Sequence, residues 1–149
     1  MNFDLIILSL SMLWALYHTI KNKQLFGGLI VLGLSLGIVF AFLRIGNSAQ
    51  TGVVIFLLAA TTALVYALLW QKFRSAKQIV LVLLIFPILL YWLFKLNHLP
   101  GTEWLRFGLF IPFIAVSYGL IRHVNLKNEW GFIVILLAEA FTLFYPTLI

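Results

Sequence analysis

The sequence predicts an all-α fold: a polytopic integral membrane bundle of about six short transmembrane helices, with a helix-pair repeat inside it. Three observations point there. Hydrophobic residues make up 64% of the 149 positions and charged residues 9%, against about 25% charged in an ordinary soluble domain. Mean hydropathy is +1.12. The apolar residues run continuously and do not alternate as they do in a membrane barrel. A soluble fold of this size has too much surface to hide that composition, which excludes a soluble enzyme, a nucleic-acid binder, a disulfide scaffold and a disordered tail.

The elements follow in order as one transmembrane domain over residues 1–149. Leu5–Ile20 is the first helix. Asp4 is the only charge before it, and with no basic leader segment it reads as a retained helix and not a cleaved signal. The others are Phe26–Leu43, Gly52–Trp70, Ile79–Phe94, Phe107–Ile121 and Gly131–Ile149, each of 15 to 19 residues. That is just under the roughly 20 residues that cross a hydrocarbon core, so five spans is the alternative to six. Trp104 and Trp130 are placed to extend two of them at the interface.

The net charge of +6 comes from ten Lys and Arg residues that lie between the apolar runs, as topology signals do. Lys21, Lys23, Lys72, Arg74, Lys77, Arg122 and Lys127 fall on one side; Arg44, Lys95 and Arg106 fall on the other. The first side is therefore expected to be cytoplasmic, with both termini periplasmic. There is no Cys, which removes disulfide and thiol chemistry.

A shift of 51 residues sets Phe42-Leu43-Arg44-Ile45 on Leu93-Phe94-Lys95-Leu96, and Thr51 on Thr102. Each copy is a helix, a basic residue, a turn-forming stretch and a second helix, which predicts an internal repeat. Small residues form ridges on these helices. Gly33 and Gly37 have GxxxG spacing beside Ser35, and Ala59, Ala63 and Ala67 recur every fourth residue. Such ridges let helix backbones approach.

Between the fourth and fifth runs, Pro100-Gly101 has the composition of a type II turn, in which Gly supplies positive φ. Lys95 is placed to snorkel to the headgroups, and His98 to titrate near neutral pH or bind an ion. Phe94-Lys95-Leu96-Asn97-His98-Leu99-Pro100-Gly101-Thr102 resembles the F-K-x-x-H-x-P-G-A loop of a bacterial inner-membrane family. That family includes the motor subunit of gliding motility and type IX secretion. The resemblance implies a periplasmic hairpin loop, in agreement with the charge count. The chain departs from the family in having Leu99 where Trp is frequent. It also has no acid in Phe107–Ile121, the helix that carries the family's intramembrane glutamate. Leu137-Ala138-Glu139-Ala140-Phe141 resembles the surroundings of that glutamate, one helix later.

Positions equidistant from a loop centre share a depth in an antiparallel bundle. This places Ser11, Ser35, Thr61, Thr62, Pro87, Pro112 and Glu139 in one slab near the bilayer centre. Glu139 is the acid well inside an apolar run, where an unpaired carboxylate costs several kcal/mol. Thr142 lies one turn on as a partner for its protonated carboxyl. Pro87 and Pro112 each withhold an amide and are expected to kink their helices. The ion or proton candidates are thus Glu139, Thr142, Thr61, Thr62 and Ser35. No metal or cofactor motif is present. His18 and His123 sit at helix ends, poorly placed for a haem.

These features predict a non-enzymatic inner-membrane subunit or scaffold of a cell-envelope complex. Its partners are lipid and either other membrane subunits or further copies of itself, with no nucleic acid. The alternative is a small proton- or cation-coupled transporter or channel built on Glu139.

Overall fold

The computed structural model describes residues 3–43, 48–69 and 75–145. Arg44, Lys72, Arg74, the predicted helix end at Trp70 and the last predicted helical residues, 146–149, lie outside them. The described residues form seven helices and no strand: α1 (Phe3–Lys21), α2 (Leu25–Leu43), α3 (Ser48–Leu69), α4 (Ala76–Leu96), α5 (Thr102–Gly108), α6 (Ile111–Ile121) and α7 (Trp130–Phe144). The first four are 19 to 22 residues long, longer than the apolar runs that predicted them: α1, α3 and α4 take in polar residues at their ends, and α2 gains Leu25. With the 20-residue stretch Thr102–Ile121, five segments are long and apolar enough to cross a membrane. α7 has 15 residues, about 22 Å of helix, and falls short of that length.

The fifth run differs most from expectation. It begins at Thr102, not Phe107, and it breaks. The Leu109 and Phe110 amides bond three residues back, to Arg106 and Phe107 at 3.0 and 3.2 Å. Pro112, with no amide to give, then sits in the first turn of α6. What was expected as a kink is the start of a new helix. Pro87, in contrast, stays inside a continuous α4.

Helix ends follow from local chemistry. Ser75 caps α4 by accepting from the Gln78 amide at 3.2 Å. The buried Gln78 side chain donates in turn to the Leu68 carbonyl near the end of α3. Three other ends share one device. Lys23, His98 and His123 adopt φ of 51°, 49° and 50°. The next amide reaches back five residues in each case: Gln24 to Thr19 at 3.3 Å, Leu99 to Phe94 at 3.0 Å and Val124 to Gly119 at 2.9 Å. This is the Schellman stop, made here without the usual glycine.

The chain divides into two compact units, Met1–Ala63 with Lys127–Ile135, and Leu64–Leu126 with Leu136–Ile149. In the first, α2 and α3 meet through small residues. A Cβ on Gly33 would stand 2.8 Å from the Ala59 Cβ, and one on Gly37 would stand 2.6 Å from the Phe56 nitrogen. One on Gly52 would strike the Ala41 backbone. These three pairs put Ser35 level with Leu57 and Leu58, one turn short of the Thr61 level expected. Gly131, at the start of α7, packs on Thr19 and Val31.

In the second unit α4 lies along α6 and α5. Leu81, Leu84, Ile85 and Ile88 are fully buried, with Leu109, Ala115 and Val116 among the core residues opposite. Gly119 packs against Val80. Those two residues are equidistant from Leu99–Pro100, as are Pro87 and Pro112, so the hairpin register is the one the loop symmetry predicts.

Large apolar side chains cover the outside. Ile20, Leu25, Leu29 and Ile121 are 76%, 89%, 67% and 76% exposed. Water would penalise such a surface heavily, whereas lipid tails are as apolar as the side chains themselves. The protein is a multi-pass helical membrane protein.

Candidate functional site

The site is built on α4, α5 and α7 within the second unit. Glu139 lies on α7 and is buried, and the Trp92 indole on α4 donates to its Oε1 at 3.1 Å. An indole N–H is a donor only, so it serves an ionised carboxylate or the carbonyl oxygen of a neutral acid equally well. The expected Glu139–Thr142 pairing takes a different form. The Thr142 hydroxyl donates to the Glu139 backbone carbonyl at 3.0 Å.

The face of Trp92 is also occupied. The Lys95 ammonium, one turn further along α4, stands 4.7 Å from the Trp92 ring centroid and 5.6 Å from that of Tyr91. Cation–π contacts of this kind stabilise by about 0.5–1 kcal/mol where exposed. Tyr91 is buried and hydrogen-bonded by the Arg106 guanidinium of α5. Arg106 reaches Glu103 at 3.3 Å, a half-exposed pair worth little by itself. Glu139 is thereby linked through Trp92 to Lys95, next to the turn that follows α4. Trp92 lies about 7.5 Å of helix rise beyond Pro87, so the carboxyl is held from the C-terminal half of α4.

The turn between α4 and α5 is a structural corner. His98 is exposed, holds the left-handed position that ends α4, and its amide bonds to the Lys95 carbonyl at 3.3 Å. Gly101 has φ 95° and ψ 0°, the values that the third position of a type II turn requires. The Thr102 hydroxyl closes on the Leu99 carbonyl at 2.9 Å.

The remaining ion or proton candidates belong to the first unit. Thr61 and Thr62 are exposed, and the Thr62 hydroxyl donates to the Leu58 carbonyl of its own helix at 2.8 Å. Ser11 is buried and bonds the Leu8 carbonyl. Ser35 is buried with no partner for its hydroxyl among the described residues. Ala59, Ala63 and Ala67 are buried; Ala67 lies in the second unit. Of the two helix-end histidines, His18 stacks on Trp14 with centroids 5.1 Å apart. Among the described residues no three His, Asp or Glu side chains gather as a metal site would need.

Sequence reasoning missed Tyr91, Trp92, Arg106 as a partner of Tyr91, and Glu129. Trp92 and Lys95 are spaced i, i+3 and must share a helix face, a signal that was available. Glu129 immediately precedes α7, is fully buried, and its carbonyl accepts the Ile133 amide at 3.0 Å. An acid just before a long apolar run is a helix-start signal, and its charge suits the helix dipole. No family model, curated protein or solved structure matches the chain.

Proposed function

We propose that the chain is a non-enzymatic multi-pass subunit or scaffold of a bacterial inner-membrane envelope complex. The observation that supports it best is the use made of Glu139. Its carboxyl accepts from a bulky indole on a neighbouring helix, which is how a polar residue joins helices in lipid. Thr61 and Thr62, two of the hydroxyls proposed to relay ions, are exposed instead. The likeness of the Lys95–Thr102 turn to the inner-membrane family, and the 51-residue repeat, belong to the same reading.

Native mass spectrometry of protein extracted gently from its host membranes tests it. Stoichiometric partner subunits are the expected result. A bare monomer or homo-oligomer would overturn the reading in favour of a second one. That second reading, a proton- or cation-coupled transporter, draws on a buried acid linked through Trp92 to a Lys at the outer turn. Under it, Glu139→Gln abolishes ion flux in proteoliposomes.

The orientation proposed from the basic residues puts the Ser75 end of α4 in the cytoplasm and the Ser48 end of α3 outside. The chain has no Cys, so Ser75→Cys and Ser48→Cys are clean reporters. In intact cells an impermeant thiol reagent should label Ser48→Cys and spare Ser75→Cys. The opposite pattern reverses the topology.

A further inference from the structure

Where α1 ends and α2 begins, the first unit carries an open groove of about 610 Å³, a volume in the range of small-ligand sites. Its wall is apolar: Ile20 from α1, and Leu25, Leu29 and Leu32 from one face of α2. All four are exposed. Gly28 keeps the floor low, since a Cβ there would already press on the Thr19 methyl at 3.1 Å. The far end is polar and held still. Lys23 is fixed by its left-handed backbone in the Schellman stop. The Gln24 side chain donates to the Lys127 carbonyl and the Asn128 Oδ1, both at 3.3 Å.

The charge at that end is one-sided. Lys21, Lys23 and Lys127 are exposed there, while Glu129, the neighbouring acid in this unit, is fully buried. Asp4 is at the opposite end of α1. The Lys21 ammonium leans over the Tyr17 ring at 5.6 Å. The Lys23 ammonium has neither ion pair nor hydrogen bond among the described residues. An apolar channel along one helix face, with an uncompensated cation at its rim, has the layout of a phospholipid: acyl chain, then phosphate.

We propose that this groove seats one acyl chain of an anionic phospholipid, with the lipid phosphate on Lys23. The surrounding medium supplies the acyl chain, and the lysines select the headgroup. A Lys near a membrane surface favours anionic lipid by about fivefold in binding. The proposal stands apart from the subunit reading, because it concerns lipid at the α1–α2 turn and not Glu139.

The test is native mass spectrometry of the purified chain, titrated with phosphatidylglycerol or phosphatidylcholine of matched chain length. The wild type should retain phosphatidylglycerol in preference. Lys23→Gln should lower phosphatidylglycerol retention about fivefold and phosphatidylcholine retention much less, because the choline cation already offsets that lipid's phosphate. Leu32→Trp, which fills the groove, should lower retention of both lipids. Leu83→Trp, at an exposed position of α4 in the second unit, should alter neither. Circular dichroism of each variant confirms that the helices are intact. Equal retention of the two lipids by the wild type would overturn the proposal. So would Lys23→Gln that keeps the wild-type preference, or Leu32→Trp that leaves retention untouched.

Discussion

Gly52→Val should be the most damaging single substitution in the first unit, lowering stability in detergent by about 3 kcal/mol, at the top of the usual range for overpacking. A Cβ at this position would overlap the backbone nitrogen of Ala41 and stand 2.6 Å from the Gly37 carbonyl oxygen. Neither is a side chain, so no rotamer change relieves the clash. The only response is for α2 and α3 to separate. Separation then loses the Gly33–Ala59 and Gly37–Phe56 contacts as well, because both depend on the same backbone approach. Between membrane helices packing of this kind carries much of the association, since lipid supplies no hydrophobic drive to bring them together. Gly108→Ala is the control. A Cβ there meets nothing within 4 Å, and in a helix Ala is favoured over Gly by up to about 1 kcal/mol. Thermal unfolding followed by circular dichroism should show a large loss for Gly52→Val and none for Gly108→Ala. Equal behaviour of the two would mean that α2 and α3 do not approach at Gly52.

The glycines between α2 and α3 illustrate how far sequence carries. Gly33 and Gly37 announce a ridge by their spacing, yet Gly52, which takes the tighter contact, has no partner at that interval and looks like the first residue of an apolar run. Its role depends on which α2 residue it meets, and that is a tertiary fact. The hairpin around Leu99–Pro100 is more legible, because Pro100-Gly101 fixes the turn and the turn fixes the register. Val80 and Gly119 meet where loop symmetry puts them. Thr61 and Thr62 could have been read better. Side chains advance about 100° per residue, so Thr61 points away from a face set by Ala59 and Ala63. Loop symmetry gives depth without direction, so it does not say which residues at one level face one another. Trp92 was passed over for a related reason. Its spacing from Lys95 shows a shared helix face but not the cross-helix partner, which is 47 residues away.

That partner makes the second large effect. If Glu139 joins α4 to α7, the contact needs an acceptor for the Trp92 N–H and nothing more. Glu139→Gln keeps an amide oxygen at the same reach, so its unfolding temperature should match the wild type. Glu139→Leu removes the acceptor and leaves a buried N–H without it, a loss of about 1–3 kcal/mol. Trp92→Phe removes the donor with less change of shape, and should cost a similar amount. The decisive quantity is the coupling between the two. Hydrogen bonds between membrane helices average about 0.6 kcal/mol in double-mutant cycles and reach about 1.7 kcal/mol. Combining Glu139→Leu with Trp92→Phe should therefore cost less than the separate losses added together, by an amount in that range. Additive losses would show that the 3.1 Å contact contributes nothing to packing. A Glu139→Gln variant as unstable as Glu139→Leu would show that the carboxyl is needed as an acid, since the two replacements differ in polarity while both remove the titratable group. In that event the packing role fails, and the Trp92–Lys95 pair becomes the place to look for the counter-charge that an intramembrane acid requires.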